Sequence, residues 1–271
     1  MTMAPIAGYA PDLLGTITSA ARRMTEVRRD AVPEAALEQI AAARHPNGEG
    51  FVRALGEGPR PRVIAECKRR SPSRGILRED YRPAAHAAAY AGAGAAAISV
   101  LTEPTFFDGA LDHLEQVRAA VEVPLLRKDF IVERYQVLEA VARGADAVLL
   151  IVGALTPAEL RGLLRAAADL GAAALVEVHD LDELKIAVDA GARVIGVNSR
   201  NLRTLAVAPE VHEALASSMP AGVVCVAESG LREPRDLARL ESIGYHAFLV
   251  GERLIAQPDP GAALRALRAG A

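Results

Sequence analysis

The chain nearly lacks lysine. Among its 271 residues are 31 Lys plus Arg, and only Lys68, Lys128 and Lys185 are lysines, so 28 are arginines. It also lacks a positive excess: 34 Asp plus Glu leave a formal charge of −3, which argues against a nucleic-acid binder. It has no tryptophan and only two cysteines, Cys67 and Cys225, each within an apolar run. Two such thiols fit a reducing cytosol and exclude a disulfide scaffold. No CxxC or Cys/His pair has metal-ligand spacing, so no metal is expected. No basic-then-apolar leader opens the chain, and a cytoplasmic location is expected. Residues 83–102 carry no Asp, Glu, Lys or Arg, but the stretch is mostly Ala and Gly, contains His86, and is broken at Gly92 and Gly94. It reads as a helix to about Tyr90 and then a buried strand, and no membrane association is expected.

What is present is apolar content of 51%, ample for a core. The first 50 or so residues read as helical, with Arg22, Arg23, Arg28 and Arg29 on solvated surface, and the Pro/Gly-rich segment 56–61 ends this extension. A rhythm follows. Short β-prone runs fall at 62–67, 96–101, 124–128, 147–151, 173–178, 194–198, 223–227 and 247–250. Amphipathic segments lie between them at 111–121, 136–143, 157–170, 181–189 and 232–243. Gly-Ala at 94–95, 144–145, 171–172 and 191–192 marks helix C-caps that lead into strands. Alternating strands and helices imply βαβ units and a parallel sheet. Eight units suit an α/β fold of the (β/α)8 TIM-barrel type with an N-terminal helical extension. The division expected is 1–55 for the extension and 56–271 for the barrel. A doubly wound open sheet is the alternative, but the loop after its first strand is usually Gly-rich, and here it reads Lys-Arg-Arg-Ser-Pro-Ser.

Barrel chemistry sits at the C-terminal strand ends. Read in order, those ends give Glu66 and Lys68, Lys128 and Phe130, Glu177, Asn198 and Arg200, then Glu228, Ser229 and Gly230, and finally Gly251. Side chains alternate along a strand, so Glu66 shares a face with Lys68, Lys128 with Phe130, and Asn198 with Arg200. Two lysines, one arginine and three glutamates at a barrel mouth can neutralise one another, and such a cluster shifts pKa values as acid–base chemistry requires. Any one of these residues reads as readily as half of a surface ion pair; it is their joint position that points to a site. Lys185 lies beside Asp182 and Glu183 on a helix and is expected to be solvated. Arginine cannot be deprotonated in a protein, whereas lysine exchanges a proton when its pKa is lowered, so Lys68 and Lys128 read as candidate proton donors.

Ser229-Gly230 and Gly251 follow the seventh and eighth strands, where barrels often receive a phosphate on backbone N–H groups. Ser71 and Arg74 in the first loop add candidate donors. The residues thus imply a small phosphorylated substrate, lysine as acid and glutamate as base, with an apolar group near Phe130. No cofactor is signalled.

Seven ordered motifs sharpen this: VIAECKRRSPSRG at 63–75, SVLTEPTFFDG at 99–109, LLRKDFIVERYQ at 125–136, ALVEVHD at 174–180, IGVNSRNL at 195–202, VAESGL at 226–231 and FLVGERL at 248–254. Together they resemble the indole-3-glycerol phosphate synthase family of tryptophan biosynthesis. That resemblance implies ring closure, decarboxylation and dehydration of 1-(2-carboxyphenylamino)-1-deoxyribulose 5-phosphate. It implies Lys128 as general acid, Lys68 paired to Glu66 and holding the substrate carboxylate, with the division of acid duty between the two lysines left open, and Glu177 as acid–base partner in dehydration. It further implies Glu228 as a catalytic carboxylate, Asn198 and Arg200 as orienting groups, and Phe130 against the anthranilate ring. Ser71, Ser229, Gly230 and Gly251, with Leu249 and Glu252 beside them, complete the implied substrate-binding set. The extension resembles a helical segment that caps the family's barrel mouth. A monomer is expected, and association with other tryptophan-pathway enzymes is left open. In two places the chain departs from the family pattern, with Val141 where an Arg is usual and Cys67 at a position facing away from the mouth. The rival readings are another phosphosugar barrel such as a phosphoribosylanthranilate isomerase, a Schiff-base aldolase, and a phospho-ligand binder without turnover.

Overall fold

The computed structural model describes residues 12–270. Eight parallel strands close a barrel: β1 Arg62–Cys67, β2 Ala97–Leu101, β3 Leu125–Lys128, β4 Ala147–Ile151, β5 Ala173–Val178, β6 Val194–Asn198, β7 Val224–Glu228 and β8 Ala247–Val250. Each pairs with its sequence neighbours and β8 returns to β1, which rules out the open sheet. The charge-free stretch resolves into a helix, Pro83–Gly92, followed by β2. Among the described residues no helix is long and apolar enough to cross a membrane.

Alternation along the strands separates two cores. Ile64, Leu126, Leu149, Leu175, Val194, Val226 and Leu249 point into the barrel. Val63, Ala65, Cys67, Val148, Val176, Ile195 and Ala227 face the surrounding helices. Cys67 therefore faces away from the mouth, and Val141 is buried in the same outer layer. Burial pushes both thiols upward, Cys225 to about 11.

The helices of the extension divide. Helix α1, Leu13–Ala31, lies at the mouth, where Leu14 and Ile17 join Phe130 and Ile151, Ala21 packs on the same core and Met24 Sδ meets Thr105 Oγ1 at 3.9 Å. Helix α2, Glu34–Ala42, packs against α7, Arg134–Ala142, on the barrel's side. Helix α3, Gly48–Gly56, closes the opposite end, with Phe51 and Leu55 fully buried in the interior core. An apolar pair spaced i, i+4 needs an apolar surface, and the strand N-termini supply one. The Gly48 N–H donates to the Gly171 carbonyl at 3.1 Å, an approach that a Cβ would block.

The arginines of α1 also differ from the solvated expectation. Arg28 bonds Glu139 of α7 through Nε at 2.5 Å, and Arg29 pairs with Glu133. Arg22 pairs with Glu159 at 3.1 Å, while Arg23 is exposed.

Candidate active site

The mouth holds a cavity of about 510 Å³, and all candidate catalytic and binding residues line it. Strand register brings them together. Asn198 lies opposite Glu228, Glu228 opposite Leu249, and Glu177 opposite Gly196.

Lys128 is the hub. Its Nζ donates to Glu177 Oε2 at 2.7 Å and to Glu228 Oε2 at 2.8 Å. The sequence reading leads one to expect a lysine with a lowered pKa. Burial does push it down, but Glu177, Glu228 and Glu66 outweigh that, and the ammonium is held above the ordinary lysine value.

The two carboxylates beside it differ. Burial would raise Glu177, but Lys128 and His179, with hydrogen bonds from Lys128 and Asn198, bring it down to about 2. Asn198 donates its Nδ2–H to Glu177 Oε1 at 3.0 Å. Burial raises Glu228; Lys128 opposes this, the Glu177 charge adds to it, and Glu228 settles at about 7. Its Oε1 is buried without a hydrogen-bond partner among the described residues. Gly196 leaves the space for that oxygen, since a Cβ there would overlap it. Two carboxyls pushed apart in this way can serve as base and acid.

Lys68 Nζ sits 2.5 Å from Glu66 Oε2. Phe130 lies against Phe107 of the short helix α5, Pro104–Phe107, with ring centroids 6.2 Å apart. The Arg200 guanidinium contacts the Leu205 carbonyl at 3.2 Å and Ser73 Oγ at 3.5 Å and touches no carboxylate among the described residues, although the resemblance implies that it orients one; its backbone N–H meets Asn198 Oδ1. The reason is local: the loop after β6 folds back on itself, with Arg200 bridged to Val207, and turns the side chain across it.

At the phosphate end, Ser71 sits in a hairpin, Arg70–Ser71 with Gly75–Ile76, and its Oγ is buried without a partner among the described residues. Ser229 and Gly230 both have left-handed φ, +67° and +74°. Strain of that kind at a non-glycine collects at functional sites. Gly251 is not left-handed; a Cβ there would overlap Glu66, so the glycine makes room for that carboxylate. Glu252 turns its carboxylate to Arg74 at 2.8 Å. Lys185, with Asp182, lies on the exposed surface.

Sequence reasoning missed several lining residues, among them Phe107, Leu202, Leu205, Val207 and Arg253. The signal for Phe107 was present: Glu103 is followed by Pro104 and accepts the N–H groups of Thr105, Phe106 and Phe107, which caps α5 and aims its ring. His179, behind Glu177, was also passed over.

A (β/α)8 barrel with lysine and glutamate at its mouth, and strained backbone after the seventh strand, is the layout of a barrel enzyme built for acid–base chemistry. Solved structures of 3-hexulose-6-phosphate synthase (TM-score 0.62, 15% identity, 77% of this chain and 99% of that one) and of KGPDC from Streptococcus mutans (TM-score 0.61, 15% identity, 78% and 96%) share the fold. A model of the indole-3-glycerol phosphate synthase family matches residues 14–267. The indole-3-glycerol phosphate synthase 2 of Streptomyces coelicolor is 49% identical over 94% of this chain and 98% of its own length. The indole-3-glycerol phosphate synthase of Chlorobium phaeovibrioides is 46% identical over 89% and 93%. The chain belongs to the indole-3-glycerol phosphate synthase family, carboxy-lyases of tryptophan biosynthesis.

Proposed function

We propose that the mouth closes the indole ring of 1-(2-carboxyphenylamino)-1-deoxyribulose 5-phosphate with Lys128 as general acid. The observation that carries this reading is Lys128 held between Glu177 and Glu228 at 2.7 and 2.8 Å. Attack of the ring carbon on the ribulose carbonyl builds charge on its oxygen, and a positioned ammonium meets that charge and protonates it. An alkoxide is a far stronger base than an amine, so a lysine with a raised pKa still gives up its proton there.

Lys68, steadied by Glu66, receives the anthranilate carboxylate, and Phe130 with Phe107 receives the ring. Holding the two ends of one flexible molecule brings the reacting carbons together. Loss of CO2 restores aromaticity. Glu177, aligned by Asn198, serves dehydration as acid–base group, and Glu228, near 7, exchanges a proton with it. The phosphate lies at Ser71, Ser229, Gly230 and Gly251, with Leu249 beneath it. Glu252 contributes backbone there, since its carboxylate repels a phosphate and engages Arg74.

A Schiff-base aldolase needs a neutral amine, and this lysine is held as a cation. Of the extension expected over 1–55, residues 12–55 act as a helical addition to the barrel of 56–270, and residues 1–11 and 271 lie outside those described. One chain carries every group required, so a monomer suffices. The buried unpaired thiols suit the cytoplasm. The test is incubation with the carboxyphenylamino ribulose phosphate, read by indole fluorescence. Lys128→Met is expected to bind substrate and lose turnover by at least about 100-fold. Normal kcat in that variant, or a borohydride-reducible adduct on Lys128, overturns the assignment.

A further inference from the structure

The reaction proposed above takes up one proton per turnover. The substrate enters as a carboxylate and that group leaves as neutral CO2, while the electron pair of the broken C–C bond returns to the ring. The carbonyl oxygen gains one proton at ring closure and a second as it departs as water. One proton comes back from carbon as the indole forms. The balance is one proton drawn from outside the reacting molecule. The carboxyls that exchange it are 1% and 2% exposed for Glu177 and Glu228, before any substrate covers the mouth.

A second residue touches Glu177 from behind. His179 lies just past the end of β5, and its Nε2 is 3.5 Å from Glu177 Oε1, the oxygen also held by Asn198. That Nε2 is buried and has no hydrogen-bond partner among the described residues. The other ring nitrogen, Nδ1, is 3.0 Å from Glu183 Oε2, and the same oxygen accepts the His179 backbone N–H at 2.8 Å. Glu183 stands on α9, Leu181–Asp189, one turn after its N-cap Asp180, so the helix start holds both the backbone N–H and Nδ1 of His179 through one carboxylate oxygen. The His179 and Glu183 side chains keep 17% and 20% exposure, more than either catalytic carboxyl.

We propose that His179 is a positioning residue that holds a proton for the site, passes it from Nε2 to Glu177 once Lys128 has given up its own proton and no longer holds Glu177 as a carboxylate, and is recharged from solvent when product leaves. In the step an N–H bond breaks and an O–H bond forms, imidazolium becomes imidazole, and the Glu177 carboxylate becomes a carboxylic acid. Recharging moves one proton from water or a buffer acid to Nε2, which is buried in this conformation, so the ring turns toward solvent to take it. The charges facing it favour the cation: Glu183 of α9, Glu177 of β5 and Glu228 of β7. Burial opposes them, and the net direction is upward from the ordinary histidine value. The inference rests on the role given to Glu177 above.

The experiment compares wild type, His179→Ala, His179→Gln and Glu177→Gln with the carboxyphenylamino ribulose phosphate in dilute buffer. Expected in His179→Ala is a fall in kcat of about tenfold, less than for a group that meets the reacting atoms itself. Added imidazole restores kcat, because it occupies the vacated space and carries the proton. His179→Gln keeps the contact with Glu183 and fills the space, so it is slow and not restored. Both variants show a larger solvent deuterium isotope effect on kcat than wild type. Wild-type kcat in dilute buffer, or a loss indifferent to imidazole and to deuterium, overturns the relay. Should Glu177→Gln turn over normally, the reading of the site itself fails. An inactive Glu177→Gln beside an unrescued His179→Ala removes the relay alone. If His179→Ala does not fold, the isotope effect in His179→Gln decides.

Discussion

Gly251 at the end of β8 is the space in which the Glu66 carboxylate of β1 sits; a Cβ on Gly251 would overlap Glu66 Oε2. Its φ of −119° suits any residue, so the glycine is there for the neighbour rather than for the turn. Gly251→Ala is expected to displace the carboxylate and, through the 2.5 Å pair, Lys68. A shift of about 1 Å at a reacting centre costs up to about 100-fold, so a loss of 10- to 100-fold in kcat/KM is expected. Glu66 is buried and its Cβ would also lie 3.1 Å from the added methyl, so a stability loss of about 1–3 kcal/mol is expected as well. Wild-type kcat/KM in this variant would separate Gly251 from Glu66.

Glu228 carries a stability cost that depends on pH. Its folded pKa of about 7 lies above the ordinary 4.5, so between those values the folded state binds more protons than the unfolded one. Stability from this group therefore falls as pH rises from about 4.5 to about 7, and the penalty is complete above 7. Glu177 runs the other way: lowered to about 2, it stabilises above 4.5 and loses that contribution as pH falls. Glu228→Gln is expected to unfold at higher temperature than wild type at pH 8, by an amount on the order of 1–3 kcal/mol. The gain should shrink below pH 5, while activity is lost throughout. Thermal melts at both pH values check this, and an equal gain at both would refute the titration.

Much of this was legible in the sequence. Strand limits fell within a residue because buried parallel strands are apolar runs ended by polar groups and entered through glycine. β7 runs one residue further than expected, to Glu228, since that residue pairs with Asn198. Helix α7 starts at Arg134, ahead of the expected 136, because Glu133 and Gln136 form a capping box and Gln136 lies inside the helix. What could not be read depended on distance across the fold. The direction of the Lys128 shift is set by carboxylates from three other strands. The closure of the far end by Phe51 and Leu55, and the pairing of Arg28 with Glu139, come from tertiary packing that a helical pattern does not encode. His179 acquires its meaning only from Glu183, four residues on, and Glu177, two residues back.

Arg28 ties the extension to the strand that carries Lys128. Its Nε and Nη2 hold Glu139 at 2.5 and 3.1 Å; Glu139 in turn meets Arg127 at 3.3 Å, and Arg127 meets Asp129 at 2.8 Å. Arg127 and Asp129 flank Lys128. Glu139 is buried, so removing one of its cations leaves charge poorly compensated. Arg28→Ala is expected to cost about 1–3 kcal/mol in urea unfolding. Val27→Ala, at 60% exposure on the same helix, should stay within about 0.5 kcal/mol. Equal effects in the two variants would dissolve the network as a stabilising element.

Gly230 tests the phosphate end separately from the chemistry. At φ +74° it holds a conformation that a side chain resists, and a Cβ would lie 3.4 Å from Ser199 Oγ and Val207 Cγ1. Among the described residues its N–H donates to no turn or loop carbonyl, which leaves it free for an anion. Gly230→Ala is expected to destabilise the fold by about 1 kcal/mol and to tilt that N–H. KM should rise about tenfold while kcat holds, because the loss is of uniform binding. Inorganic phosphate, as a competitive inhibitor, should weaken by a similar factor in Gly230→Ala and in Ser71→Ala. If phosphate inhibits both variants as it does wild type, the anion does not sit at this end of the mouth.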